Sequence, residues 1–99
     1  MIPENRIPTH PGEILLEEFL RPLGLTQSSF ARHIGVSAQC ISEIVQKKRR
    51  ITPKIAWLLA QALGTTPEFW INLQSVYDLA KNRPKRHIKR LEKAMPVSV

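Results

Sequence analysis

Apolar residues recur along this chain at intervals of three and four. Proline, glycine and hydroxyl residues break the pattern into segments. Ile14, Leu15, Leu16, Phe19 and Leu20 predict the apolar flank of a first helix. It starts near Pro11, where a missing N–H costs nothing, and ends at Pro22 and Gly24. Glu13, Glu17 and Glu18 take its positive end or its exposed side. Thr26 suits the N-cap of a second helix carrying Phe30, Ala31 and Ile34. Gly35 stops that helix where a left-handed residue is favoured. After Val36 alone, Ser37 caps a third helix that runs to about Gln46. Residues 47–51 read as a loop. Thr52-Pro53 opens a fourth helix whose buried stripe is Ile55, Leu58, Leu59, Ala62 and Leu63, and Gly64 ends it. Thr66-Pro67 repeats the start signal for a fifth helix with Phe69, Trp70, Leu73, Val76, Tyr77 and Ala80 on one stripe, ending by Pro84.

No run alternates long enough to argue for a sheet, so the fold class is all-α, five helices joined by short capped turns. The chain divides into an N-terminal arm (1–8), a helical domain (9–82) and a basic C-terminal tail (83–99). In the tail, Ile88, Leu91 and Met95 fit one narrow helical face.

With 99 residues, 42 % of them hydrophobic, the chain makes one packed domain. That excludes a large multi-domain enzyme and a wholly disordered chain. No apolar run is long enough to cross a bilayer, and no secretory signal is present, so a soluble cytoplasmic protein with no membrane partner is expected. Cys40 is the single cysteine and allows neither an internal disulfide nor a thiolate cluster.

The net charge of +7 is unevenly placed. Residues 1–25 hold two bases against four acids, and residues 65–80 two acids and no base. Residues 26–64 hold six bases against one acid, and residues 81–99 seven against one. Two basic blocks separated by acidic ones point to a polyanionic partner on part of the surface.

The second and third helices carry the functional signal. Ala31 precedes Gly35 by four and Ile41 follows it by six. Two helices crossing steeply need a small residue at the contact, a residue tolerant of positive φ at the turn, and a branched apolar residue to lock the angle. Ala31, Gly35 and Ile41 meet those needs in register, with Phe30, Ile34, Val36 and Ile44 at core positions. This is a helix-turn-helix. On a wheel of the third helix, Val36, Cys40, Ile41, Ile44 and Val45 share one side. Gln39, Ser42, Glu43 and Gln46 share the other. Amides and hydroxyls both donate and accept, as base edges require. The base-reading set is Gln39, Ser42, Glu43 and Gln46, with Ala38. Gln39 leads because glutamine can grip adenine through two hydrogen bonds. Glu43 either accepts from a cytosine amino group or repels wrong sites. Lys47, Lys48, Arg49 and Arg50 border this helix and suit phosphate contacts, joined by Gln27 and Ser37 at the helix starts.

Read with these motifs, the chain resembles the phage-repressor-like (Xre-type) family, and more narrowly the HigA antitoxins, also called virulence-associated protein I. The resemblance covers most of residues 9–80. It rests on Thr9-His10-Pro11-Gly12-Glu13-Ile14-Leu15, Leu25-Thr26-Gln27, Ile41-Ser42-Glu43-Ile44 and Arg50-Ile51-Thr52. Its narrowest signals are residues 62–70, Ala-Leu-Gly-Thr-Thr-Pro-Glu-Phe-Trp, then Asn72-Leu73-Gln74 and Tyr77-Asp78-Leu79. The resemblance implies a five-helix repressor-like fold, a homodimer, a palindromic operator in double-stranded DNA upstream of the protein's own operon, and a small ribonuclease toxin neutralised by complex formation. Where the family often has glycine after the third helix, this chain has Lys47. Lys47 must then hold a strained turn, or the helix ends differently. On the fifth helix, Phe69 and Leu73 are expected in the core. Trp70, Tyr77 and Leu79 are expected at a dimer surface.

Other classes fit less well. His10, His33 and His87 stand far apart, none at metal-ligand spacing, and no glycine-rich phosphate loop is present. Cys40 lies on the apolar face, as a small buried hydrophobe rather than a nucleophile. No enzyme activity, metal or cofactor is expected. A pure protein-interaction module needs no polar reading face, and an RNA binder lacks an aromatic sheet for base stacking. A solitary regulator without a toxin partner is the alternative to an antitoxin. The tail can extend DNA contact, seat a toxin, or stay unordered.

Overall fold

A side chain caps the start of every helix. In a computed structural model describing residues 8–92, five helical segments follow one another, with no strand among the described residues. The first comprises α1 (Pro11–Ile14) and π-helical turns continuing it over Leu15–Leu20. Then come α2 (Gln27–Ile34), α3 (Ala38–Val45), α4 (Pro53–Leu63) and α5 (Pro67–Lys81). Thr26 accepts from Ser29 N–H at 3.0 Å and Ser29 answers in a reciprocal capping box. Ser37, Thr52 and Thr66 accept from Cys40, Ile55 and Phe69 N–H groups. Such caps contribute about 1 kcal/mol each. Pro11, Pro53 and Pro67 all sit at helix starts.

The first helix departs from a regular α pattern. Leu15 and Leu20 are both wholly buried, although residues five apart on an α-helix diverge by about 140°. The wider π winding, with Arg21 N–H donating to Leu16 C=O, brings them to one face. Ile14, Leu16 and Phe19 pack against the core only partly buried.

Gly35 takes φ 79° and makes the elbow between α2 and α3. Buried Ala31, Ile41 and Ile44 fill the crossing, as the spacing requires. Cys40 is buried there too. Behind the elbow, α4 and α5 form a helical hairpin turned at Gly64, φ 72°.

The buried stripe of α4 is rotated from expectation. Ile55, Ala56, Leu59 and Ala60 are buried, Leu58 and Leu63 half-buried, and Ala62 exposed. The small side chains of Ala56 and Ala60 suit the close packing of α4 on its neighbours. The stripe of α5 is rotated as well. Trp70 is 0 % exposed, and its indole N–H donates to Thr65 Oγ1 at 2.8 Å. It meets Phe19 at a tilt with ring centroids 5.5 Å apart, and Phe69 edge-on at 5.0 Å. Trp70 is therefore core and is not available for the dimer surface expected of it. Phe69, expected in the core, is 39 % exposed, and Val76 is exposed as well. Leu79 is exposed and Tyr77 half-buried.

Residues 83–92 carry no helix, and Ile88 and Leu91 are exposed, so the narrow helical face is not formed there. Met95 and residues 1–7 of the expected arm lie outside the described residues.

Candidate nucleic-acid interface

The third helix is anchored by its inner face and bare on its outer one. Cys40, Ile41 and Ile44 are buried, Val36 and Val45 half-buried. Ala38, Gln39 and Gln46 are exposed, and Ser42 and Glu43 half-exposed. All five expected base-reading residues thus share one accessible surface. Four of them form two small networks. Gln39 Nε2 donates to Glu43 Oε2 at 3.1 Å, and Gln46 Nε2 donates to Ser42 Oγ at 2.8 Å. Glu43 also accepts from Arg49 at 2.7 Å. The hydrogen bond from Arg49, then that from Gln39, holds the Glu43 carboxyl below the ordinary carboxylate range. The face therefore carries a fixed anion covered by a neighbouring guanidinium.

The basic loop is shaped by how α3 ends. Lys47 has φ 66°, the only non-glycine residue at positive φ among the described residues. Its N–H donates to Ile44 C=O at 3.0 Å, and Lys48 N–H donates to Glu43 C=O at 2.8 Å. This is a Schellman ending with lysine in the glycine position. Of the two outcomes open for Lys47, the strained turn is the one found.

Lys47, Lys48, Arg49 and Arg50 are all exposed. They do not all point free. Arg49 is tied to Glu43, and Arg50 pairs with Asp78 of α5. Lys47 lies 3.7 Å from Glu13, a half-exposed pair of small energetic worth. Gln27 is half-buried at the first position of α2. Ser37 is exposed, its oxygen used as the cap of α3 while its O–H remains a donor.

Four residues that position this surface carried no assigned site role from residue reading. Gln74 is buried on α5 and accepts the Ile51 N–H at 2.8 Å. Its amide then donates to Asp78 Oδ1 at 3.0 Å. Burial pushes the Asp78 carboxyl up, but the hydrogen bonds from Gln74 and Arg50 outweigh it and hold the group ionised to lower pH. The loop after α3 is thus strapped to α5. Gly12 is the third. A Cβ there would stand 1.8 Å from the Ile44 carbonyl oxygen, so only glycine lets the first helix touch the backbone of α3. His10 is the fourth: buried, it caps that helix through Nδ1, 2.8 Å from Gly12 N, and meets Tyr77 edge-on at 4.7 Å. The available signal was a polar residue, Gln74, interrupting an apolar stripe, and a histidine beside Pro11-Gly12.

No group of three or more His, Cys, Asp or Glu side chains stands together among the described residues to hold a metal. No helix among them is long and apolar enough to cross a membrane.

Comparison with known proteins adds to this geometry. A helix-turn-helix family model matches residues 16–70. Virulence-associated protein I of Dichelobacter nodosus is 43 % identical over 77 residues, spanning 77 % of this chain and 71 % of its own. Antitoxin HigA-1 of Vibrio cholerae is 40 % identical over 87 residues, spanning 86 % and 82 %. The solved structure of Pseudomonas aeruginosa antitoxin HigA with the higBA promoter has a TM-score of 0.73 at 42 % identity, covering 75 % of this chain and 80 % of that one.

Proposed function

This chain belongs to the helix-turn-helix family, and from that premise we propose that it is a sequence-specific DNA-binding antitoxin that acts as a homodimer. It binds a palindromic operator upstream of its own operon and represses it. It also neutralises a small ribonuclease toxin by forming a complex. The observation that carries the DNA reading is the outer face of α3: Ala38, Gln39, Ser42, Glu43 and Gln46 stand accessible on a helix whose other side is locked into the core. A helix presented in this way fits the major groove, where amide and carboxylate groups distinguish base pairs.

The basic loop supplies register. Lys47, Lys48, Arg49 and Arg50 follow the reading helix directly, and such residues bind phosphates without reading sequence. Gln27 and Ser37 add contacts from the helix starts. The paired states of Arg49 and Arg50 set their positions before DNA arrives. A guanidinium has donors enough to keep a carboxylate and meet a phosphate.

The antitoxin half of the reading is supported by the two antitoxin relatives named above. Two measurements test the whole. Fluorescence anisotropy compares a duplex taken from just upstream of the protein's own reading frame with a scrambled duplex of equal length. Preference for the upstream duplex is expected, and equal binding overturns the operator reading. Co-expression with the product of the adjacent reading frame is expected to yield a stable complex that lacks RNA-cleaving activity. Failure to form it leaves a solitary transcriptional regulator.

A further inference from the structure

The end of α5 lies beside the loop that follows α3. Arg50 reaches Asp78, and Lys47, Lys48, Arg49 and Arg50 share one open polar hollow with Lys81 and Asn82. From that hollow the chain continues through residues 83–92 with no helix and every residue exposed. Between positions 85 and 90 stand Lys85, Arg86, Lys89 and Arg90 with no acid among them. The cationic loop and the cationic tail are thus neighbours at the tail's root, although more than 30 positions separate Arg50 from Lys85 in the sequence.

We propose that Lys85, Arg86, Lys89 and Arg90 form a second duplex-binding element, one that lies along the phosphates bordering the minor groove next to the site read by α3. The proposal rests on the reading that α3 occupies the major groove, and it extends that reading to a part of the chain outside the helix-turn-helix. The reach is sufficient. Ten extended residues span at most about 33–36 Å, close to one turn of duplex at about 34 Å. The shape also fits. The minor groove is about 6 Å wide and admits an extended backbone but not a helix. Its narrow form concentrates negative potential and draws arginine and lysine. A duplex is favoured over a protein partner by the charge: four cations, continuous at the root with the phosphate-binding loop, and Ile88 as the one apolar side chain from 85 to 90.

The test uses the full chain and a variant carrying K85A, R86A, K89A and R90A. All four residues are exposed and outside the helices, so the variant keeps the wild-type melting temperature. Binding to the upstream duplex and to a scrambled duplex is titrated from about 50 to 300 mM salt. The slope of log K against log salt is expected to fall by roughly 3 to 4 per protomer, about 7 for the dimer on its palindrome, at about 0.9 per lost phosphate contact. Affinity should drop at least tenfold for both duplexes, leaving their ratio unchanged. Trimming the upstream duplex by one turn at each end should weaken the full chain but not the variant. A variant with the full chain's slope and affinity overturns the proposal. So does a variant that keeps its DNA slope but loses the adjacent gene product, because the tail then serves a protein. A full chain with no preference for the upstream duplex sinks the reading of α3. A full chain that binds no duplex sinks both.

Discussion

The side-chain oxygen of buried Gln74 accepts the backbone N–H of Ile51 at 2.8 Å, joining positions 23 residues apart. This bond fixes where the basic loop ends and α4 begins, because Ile51 is itself buried. Replacing Gln74 with Leu strands that N–H away from water. An unsatisfied buried donor costs about 1–3 kcal/mol. In a chain of this size each kcal/mol lowers the melting temperature by about 4–8 °C. Thermal unfolding of Gln74→Leu checks the stability loss. Weaker binding to every duplex, with discrimination intact, checks that the loop rather than the reading face was disturbed.

Gly12 brings the first helix directly against the backbone of α3 at Ile44. A Cβ at position 12 would meet the Ile44 carbonyl oxygen at 1.8 Å, and no rotamer change can relieve a clash with backbone. Gly12→Ala must push the helices apart. A loss at the upper end of overpacking costs, about 3 kcal/mol, is expected. Chemical denaturation measures it, and a change below about 1 kcal/mol would show that the approach is looser than described.

The helix-turn-helix was legible because its constraints are local. Ala31, Gly35 and Ile41 must occur at fixed spacing, and Thr26, Ser37, Thr52 and Thr66 announce their helices within one turn. Rotations about a helix axis were less legible. Periodicity placed Trp70 on a stripe but did not say which edge faced the core, since Phe19 helps decide that from the first helix. The π winding at Leu15–Leu20 was hidden for the same reason. The accessible polar face of α3 itself emerged from the wheel. The strap from Gln74 and Asp78 did not, because a glutamine interrupting an apolar stripe marks an oddity but does not name a partner 23 residues away.

Lys47 combines a strained backbone with a useful charge. A non-glycine residue in the left-handed region costs about 1–2 kcal/mol, and glycine returns part of that gain, about 0.4–1 kcal/mol, as added freedom in the unfolded chain. Lys47→Gly should therefore raise stability by roughly 0.5–1 kcal/mol while weakening binding to all duplexes alike. Melting temperature and anisotropy on one preparation separate the two effects. A variant that is both less stable and equally tight would contradict the assignment of strain to this turn.

His10 makes stability depend on pH. Its Nδ1 must stay unprotonated to accept from Gly12 N–H. Burial, then Lys47, pushes its pKa below the ordinary value; Lys81 adds to this, while Asp78 and Glu13 oppose it. The unfolded chain takes up the proton near pH 6.5, the folded chain only at lower pH. Below about pH 6.5 the unfolded state therefore binds more protons, and stability falls as pH falls. Above that value this group contributes no slope. Unfolding free energies from pH 8 to pH 5 should show the decline in the wild type. His10→Asn, which can still cap the helix, should flatten it. An unchanged slope in the variant would place the pH dependence elsewhere.

Gln39 and Arg49 both bind Glu43, yet their substitutions should act differently. On the proposed reading Gln39→Ala removes a base contact, so the preference for the upstream duplex over a scrambled one should shrink by about 1–3 kcal/mol, with nonspecific binding unchanged. On the same reading Arg49→Ala removes a phosphate contact, which lowers the salt slope by about 0.9 per protomer. It also uncovers the Glu43 carboxylate on the surface proposed to face DNA. Affinity for every sequence should then fall further than one phosphate contact explains. The double variant Arg49→Ala, Glu43→Gln isolates that second part, because it removes the exposed charge while restoring no phosphate contact. Partial recovery of affinity in the double variant, without recovery of the salt slope, is the expected result. If Arg49→Ala alone changed discrimination and Gln39→Ala did not, the two roles would have to be exchanged.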